Sequence, residues 1–170
     1  MSPGGRKLRD CGDLAMRIAR DGTWYYQGSP IGRKPLVKLF ASVLRREADG
    51  RYWLVTPAER GTIEVEDAPF TAVEVTATGK GRDQCLEFRT NLDEMVTADE
   101  AHPIRVAHHP ETDEPRPYIL VRDGLEARML RPVFYELVAL GEMRRMEGEE
   151  QLGVWSNGRF FSLGRVETPR

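Results

Sequence analysis

One plan of elements occurs twice in this sequence, and it constrains the fold more than any single motif. In the first copy, Ile18 to Thr56, two apolar segments meet at Asp21-Gly22, an amphipathic segment follows Pro35, and an aromatic segment returns around Trp53. An Asp-Gly pair between apolar segments is a strong hairpin signal. Proline is favoured at the start of a helix, where its missing N–H has no partner to lose. The stretch therefore predicts a hairpin, a helix that ends at Asp49-Gly50, and a returning strand.

The second copy begins at Tyr118 and has the same order of elements. Asp123-Gly124 lies between apolar segments, Pro132 stands at a helix start, and Trp155 lies in the returning segment. Aligning Pro35 with Pro132 superimposes the apolar positions of the two helices and predicts the same buried face in each. Repeats of this kind are typical of units that bury their faces against each other. We predict an α+β fold of duplicated strand-helix-strand units on antiparallel sheets.

The remaining segments differ from the copies in pattern and composition. Alternating apolar residues between the copies predict an antiparallel meander with strands at Thr62 to Glu66, Phe70 to Thr78 and Gln84 to Thr90. An acidic, Pro-rich stretch without apolar period then predicts a loop. The predicted divisions are a loose lead-in at 1–13, a first repeat unit at 14–66, the central meander at 67–108, the Pro-rich loop at 109–117, a second repeat unit at 118–164 and a tail at 165–170.

Charge and hydropathy argue against two classes of partner. The formal charge is -2, with 25 Lys and Arg against 27 Asp and Glu in mixed order, whereas nucleic-acid binders usually carry a basic excess. No apolar run approaches the roughly 20 residues of a membrane helix. The lead-in lacks the apolar segment of a secretory signal, and two cysteines do not make a disulfide framework. We predict a cytoplasmic protein with reduced thiols that binds neither nucleic acid nor a membrane.

Residues that could carry chemistry do not form a recognisable catalytic or metal motif. His102, His108 and His109 lack the spacing of a known ligand set. Cys85 alternates like a core residue of a strand, and Cys11 lies in the lead-in, so no Cys-His pair is predicted. No serine-nucleophile elbow, phosphate loop or dinucleotide fingerprint occurs. We predict no cofactor and no metal, and enzymatic activity stays open without a catalytic constellation.

Polar side chains stand beside aromatic strands at equivalent places in the two copies. Cations precede both helices, and hydroxyl, carboxylate or amide groups are found around and after both Trp strands. If the copies pack face to face, these groups converge on a cleft, where small ligands usually bind. Cations favour an anionic ligand, and aromatic rings can stack on a base. The predicted ligand-binding residues are Arg33, Lys34, Trp53, Thr56, Glu59, Arg131, Trp155 and Asn157.

A structural explanation exists for each of these residues taken alone. Aromatic residues on strands are usually core residues, and an arginine at a helix entrance is often solvated or paired with a carboxylate. Thr56-Pro57-Ala58-Glu59 has the spacing of a capped corner that joins two strands.

Long runs of the sequence resemble one known family. These are DGTWYYQGSPIGRKPLVKLFASVL, YWLVTPAERGTIEVEDAPF, and RDGLEARMLRPVFYELV with GVWSNGRFFSLG, within the span from Met16 to Gly164. They are similar to the bacterial domain-of-unknown-function family 1285. The resemblance implies two similar α+β subdomains, the C-terminal one loosely similar to pleckstrin-homology folds. It also implies a pocket at their interface for a nucleotide-like ligand and a role in bacterial signalling, but no settled activity.

Three function classes follow from these observations. We predict a non-catalytic protein that binds a small anionic ligand of the nucleotide kind. The alternative is a hydrolase of weak signature that acts on a phosphorylated or nucleotide substrate with Glu59 or Asp67. A third class is a protein-interaction module, which a large exposed apolar patch would support.

Overall fold

The computed structural model describes residues 8–166, an α+β protein in which strands predominate. Two compact units are present: an N-terminal unit of the residues up to Pro69 with Asp123–Leu125, and a C-terminal unit of Phe70–Arg122 with the residues from Glu126 onward. Within 8–166, neither helix has the length and apolar character needed to cross a membrane.

The N-terminal unit is built on one six-stranded sheet in the order β3-β2-β1-β6-β5-β4. The first and last strands of the unit, β1 and β6, lie side by side and run parallel, whereas the other neighbouring strands are antiparallel. The elements are β1 (Arg9–Ile18), β2 (Trp24–Tyr26), β3 (Ser29–Pro30), α1 (Lys34–Ser42), β4 (Leu44–Arg46), β5 (Tyr52–Val55) and β6 (Glu59–Val65).

Strand β1 corrects the prediction of a loose lead-in. Arg9–Asp13 is strand, paired in parallel with β6. Its glycine and charged residues show no apolar alternation, and its partner strand lies far along the chain, so the sequence did not indicate it. Residues 1–7 of the lead-in and 167–170 of the predicted tail lie outside the described residues.

The hairpin predicted at Asp21-Gly22 is confirmed. The Ala19 N–H donates to the Thr23 carbonyl at 2.8 Å, and Gly22 has φ of +90°. The Asp21 carboxylate accepts the Thr23 N–H at 2.9 Å, and this hydrogen bond lowers the pKa of Asp21. Each of these features is local, which is why the sequence predicts the turn.

Helix α1 begins where predicted but ends earlier. The helix starts at Lys34 with Pro35 next and ends at Ser42. The prediction that it continues to Asp49-Gly50 is wrong, because Leu44–Arg46 forms β4 and pairs with β5. A buried leucine fits the apolar period of a helix as well as it fits this strand, so pairing later in the chain decides the outcome.

The C-terminal unit contains two sheets, in the orders β10-β11-β12-β7-β8-β9 and β13-β14-β15. Strands β12 and β7 run parallel, and the β13-β14-β15 sheet is antiparallel. The elements are β7 (Phe70–Thr78), a 3-10 turn (Gly81–Asp83), β8 (Cys85–Thr90), β9 (Met95–Thr97), β10 (Ile104–His108), β11 (Pro115–Arg122), β12 (Leu125–Met129), α2 (Arg131–Leu140), β13 (Glu142–Met146), β14 (Glu149–Ser156) and β15 (Arg159–Arg165).

The predicted meander is correct in part. Strands β7, β8 and β9 are antiparallel neighbours, but the predicted strand Thr62 to Glu66 belongs to β6 in the N-terminal sheet. The predicted Pro-rich loop is also shorter than expected. Pro115–Pro117 opens β11, since proline is tolerated at the start of a strand.

The shared register predicted for the buried faces of the helices is wrong. Both helices begin one residue before a proline. However, α1 buries Val37 and Ala41, whereas α2 buries Val133 and Leu137, one position earlier relative to the proline. Tertiary packing of each helix therefore selects its own stripe from a broad apolar face.

Candidate functional site

The eight predicted ligand-binding residues divide between the two units. Five lie in the N-terminal unit and three in the C-terminal unit. A cavity in each unit contains some of them in its lining. Each cavity is therefore described within its own unit.

The turn between β5 and β6 brings Thr56 and Glu59 together. The Thr56 N–H donates to the Glu59 carbonyl at 2.8 Å. The Thr56 hydroxyl accepts the Glu59 N–H at 3.1 Å and donates to the Glu59 carbonyl at 3.0 Å. The capped corner is thus confirmed, without a helical turn. The Thr56 side chain and the Glu59 backbone hold the turn, so the turn does not use the Glu59 carboxylate.

A pocket of about 280 Å³ lies beside this turn, and we call it the β1 pocket. Its lining combines apolar side chains with a few polar ones. The lining residues are Cys11, Leu14, Met16, Tyr26, Phe40, Val43, Leu54, Thr56, Glu59, Arg60 and Gly61. Small-molecule sites typically have this composition.

The polar groups of the β1 pocket do not form a nucleophilic pair. The Cys11 thiol donates to the Glu59 carboxylate at 3.3 Å. This hydrogen bond, together with desolvation, raises the pKa of Cys11. Because the thiolate is the nucleophilic form, this shift disfavours nucleophilic reaction at Cys11.

The Trp53 ring stacks against the Arg60 guanidinium group. The Trp53 ring is buried, and the Arg60 guanidinium carbon lies 4.3 Å from its centroid. The Arg51 guanidinium lies 5.0 Å from the same ring. Trp53 therefore positions cations by stacking, and it is not part of the pocket lining.

The entrance of α1 is exposed. Arg33 is the N-cap residue and Lys34 the first helical residue. Both side chains are exposed, and neither contributes to the lining of either cavity.

A second cavity, of about 360 Å³, lies at the start of α2, and we call it the α2-entrance cavity. Strands β11 and β12, which are neighbours in one sheet, contribute part of its wall. Glu114, just before β11, and residues of the first two turns of α2 contribute the rest. Its lining residues are Glu114, Pro115, Pro117, Arg128, Met129, Arg131, Phe134 and Tyr135.

Positive charge dominates the α2 end of this cavity. Arg128 and Arg131 both line it. The first turn of α2 carries no acidic residue, and no side chain caps it, so the positive end of the helix dipole adds to the two guanidinium groups. The carboxylate of one lining residue, Glu114, forms an exposed ion pair with Arg131 at 3.2 Å.

Aromatic rings stand beside these cations. Phe134 and Tyr135 line the cavity from α2, and Tyr135 is 61% exposed. An exposed ring beside two guanidinium groups suits a ligand that has both a planar part and an anionic part.

Trp155 lies in a different setting from Arg131. The buried Trp155 indole N–H donates to Glu142 at 2.6 Å. The Arg82 and Arg144 guanidinium groups lie 5.2 Å and 4.9 Å from its ring. The ring is thus a packed core element, and it is not among the residues of the α2-entrance cavity.

Asn157 forms the turn between β14 and β15. Asn157 and Gly158 both have positive φ, +51° and +79°, as a two-residue hairpin turn requires. The adjacent Ser156 is fully buried, donates to the Ala98 carbonyl at 2.6 Å and accepts the Leu86 N–H at 2.9 Å. This segment anchors β14 to the neighbouring sheet of the same unit.

His102 lies in a bend before β10, whereas His108 ends β10 and His109 directly follows it. His102 pairs with Asp99 at 2.8 Å. Desolvation raises the pKa of Asp99, but hydrogen bonds from the His102 side chain and backbone outweigh it and lower the pKa overall. Among residues 8–166, no group of three His, Cys, Asp or Glu side chains is arranged to hold a metal ion.

Sequence reasoning missed several lining residues. Arg60 and Arg128 are strand residues whose neighbours in space come from other strands. Glu114 lies in the acidic Pro-rich stretch, and no local pattern indicates that it meets Arg131. Tyr135 carried a usable signal, because an aromatic residue three positions after the helix-opening proline adds to the aromatic residues already noted beside the cations.

Two family profiles match the chain. "Domain of unknown function (DUF1285), N-terminal domain" matches residues 7–68, and "Protein of unknown function (DUF1285), C-terminal domain" matches residues 69–163. The boundary between the two matches lies next to the boundary between the compact units.

Two solved structures are similar to this one. A DUF1285 family protein from Silicibacter pomeroyi DSS-3 is 50% identical, with a TM-score of 0.86 over 95% of this chain and 85% of that chain. A DUF1285 family protein from Shewanella baltica OS155 is 25% identical, with a TM-score of 0.57 over 74% of this chain and 91% of that chain. No curated protein matches the sequence.

Proposed function

The chain belongs to the DUF1285 family of proteins of unknown function, and on that footing we propose that it is a non-catalytic protein that binds a small anionic ligand of the nucleotide kind. The α2-entrance cavity is the observation that supports this function best. Two guanidinium groups, an uncapped helix start and two aromatic rings line one space.

The chemistry of these groups fits a phosphate attached to a planar base. Arginine presents its N–H groups as a planar fork that matches phosphate oxygens. The free N–H groups of a helix start also favour an anion. Tyr135 and Phe134 offer faces on which a base can stack. The volume of about 360 Å³ lies near the lower end of the roughly 300–1,000 Å³ of ligand pockets, which favours a mononucleotide over a larger molecule.

Glu114 acts as an internal substitute for the ligand. Its carboxylate holds Arg131 in an ion pair whose side chains are 53% and 71% exposed. Exposed pairs of this kind contribute about 0–1 kcal/mol, so a phosphate with a charge near -2 displaces the carboxylate at little cost.

The proposal also includes the finer expectations about internal duplication, fold similarity and signalling. In it, the strand-helix-strand segments derive from one duplicated plan, the C-terminal part is loosely pleckstrin-homology-like, and the protein acts in bacterial cytoplasmic signalling. The remaining predicted residues, Arg33, Lys34, Trp53, Thr56, Glu59, Trp155 and Asn157, do not line this cavity, and the proposal assigns them no contact with the ligand.

Ligand binding is tested with AMP, ADP, GMP and inorganic phosphate as probes, by thermal shift and calorimetry. A nucleotide at a hundred times its dissociation constant stabilises the protein by about 2.7 kcal/mol, which raises Tm by roughly 5–10 °C. Arg131→Gln removes a charge-assisted hydrogen bond and should weaken binding about 10- to 100-fold. Glu114→Gln should strengthen it by up to about fivefold, since the competing charge is gone.

Arg159→Gln is the matched control. Arg159 forms an exposed ion pair with Glu100 at 2.9 Å in the same unit but does not line the cavity. If no nucleotide stabilises the protein, or if Arg131→Gln binds as well as Arg159→Gln, the assignment is refuted. Turnover of a nucleotide that disappears in Glu59→Gln would instead favour the hydrolase.

A further inference from the structure

The β1 pocket has more apolar surface than an anion site needs. Five of its lining residues are apolar side chains from β1, α1, β5 and the end of α1: Leu14, Met16, Phe40, Val43 and Leu54. Protein interiors normally pack to crystal-like density. Apolar surface left facing water forgoes hydrophobic stabilisation, and a ligand with an apolar body recovers it.

Strand β1 is distorted where it borders the pocket. Its register with β6 shifts on both sides of Asp13, and Ala15 adopts φ of +55°. The left-handed conformation is unfavourable for alanine, and the Asp13 carboxylate offsets part of this cost by accepting the Ala15 N–H at 2.8 Å. Bulges commonly re-aim side chains beside binding sites. Leu14, between these two residues, lies so close to Gly61 that a Cβ on the glycine would overlap it.

The polar part of the lining offers hydrogen-bond donors. Arg60 forms an ion pair with Asp10 at 3.9 Å, which is too long for a hydrogen bond. Stacking on Trp53 at 4.3 Å holds the guanidinium plane in place. Tyr26 also lines the pocket, with its hydroxyl accepting the Gln27 side-chain amide at 3.2 Å, and the Glu59 carboxylate accepts the Cys11 thiol.

We propose that the β1 pocket is a second binding site, which takes a small amphipathic carboxylate. The alkyl or aryl body of this molecule lies among the apolar side chains, and its carboxylate meets Arg60. The volume of about 280 Å³ is just below the roughly 300–1,000 Å³ of drug-sized sites, so the ligand has a short body. This site lies in the N-terminal unit and does not depend on the α2-entrance cavity.

The test compares octanoate, octan-1-ol and octylamine as probes of the full chain. Titration calorimetry should show one molecule of octanoate bound, with octanol and octylamine each at least about tenfold weaker, because Arg60 attracts the carboxylate and repels the amine. Arg60→Gln should weaken octanoate about tenfold or more and leave octanol unchanged. Arg20→Gln, an exposed arginine of the same unit outside the lining, should change neither.

A local readout in the wild-type protein tests the proposal even if Arg60→Gln fails to fold. In wild-type protein labelled at the methionine methyl groups, octanoate should shift the Met16 signal and leave that of the exposed Met95 unchanged. Absence of octanoate binding, an unmoved Met16 signal, or equal binding of octanol and octanoate would each overturn the proposal. A nucleotide effect that Arg60→Gln leaves intact would show that the two sites are separate.

Discussion

Replacing Ser156 by alanine tests how β14 is attached to the rest of its unit. The hydroxyl is fully buried, accepts the Leu86 N–H at 2.9 Å and donates to the Ala98 carbonyl at 2.6 Å. Ser156→Ala removes both bonds and leaves two buried backbone groups without partners. Each such group costs about 1–3 kcal/mol, so the free energy of unfolding should fall by about 2–6 kcal/mol.

The measurement is urea unfolding followed by tryptophan fluorescence, together with a calorimetric scan. For a chain of 170 residues, each kcal/mol corresponds to about 2–4 °C in Tm, so Ser156→Ala should lower Tm by roughly 4–24 °C. Ser162→Ala is the matched control, because Ser162 is exposed on β15, and an exposed substitution should cost less than about 0.5 kcal/mol. Equal effects of the two substitutions would refute the idea that the buried hydroxyl bridges the strands.

Two further substitutions probe contacts in the N- and C-terminal units. In urea unfolding, Trp155→Phe should destabilise the protein by about 1.5–3 kcal/mol more than Trp53→Phe, because only the Trp155 indole donates to a carboxylate. The buried Trp53 indole N–H has no acceptor within residues 8–166. Equal losses of stability would contradict this. In a Cys85→Ser background, Glu59→Gln should move the pH profile of Cys11 alkylation to lower pH, because Glu59 is the main cause that raises the pKa of this thiol; an unmoved profile would show that the hydrogen bond is absent in solution.

Local chemistry made the turns and the helix starts predictable. Asp21-Gly22 and Asp123-Gly124 supply positive φ at the turn, with Gly22 at +90° and Gly124 at +76°, and each proline sets the start of its helix. These features depend on residues that are close in sequence. The sequence therefore locates them without knowledge of the sheet.

Pairing at long range made other features unpredictable. Leu44–Arg46 continues the apolar period of α1, but pairing with β5 makes it a strand. Strand β6 reads as the first strand of a meander, but β1 recruits it into the N-terminal sheet. In both cases a distant partner outweighs the local pattern.

The candidate sites show the same division. Arg131 was found because a cation before a helix-opening proline is a local feature. Arg60 and Arg128 became visible only when the fold placed them in the linings of the two cavities. A pocket is assembled from several strands, and a single strand does not indicate which of its polar residues will face that pocket.

The parallel pairing of β1 with β6 has a consequence for biosynthesis. Its ladder joins Arg9 to Glu59, about fifty positions apart, so the middle of the sheet closes only after β6 has left the ribosome. The β2–β3 and β4–β5 hairpins can form earlier, since contacts between near neighbours in sequence close fastest. A nascent chain that stalls before Glu59 therefore leaves exposed the sides of β1 and β5 that β6 covers in the finished sheet, and such open edges are the sites at which incomplete chains associate.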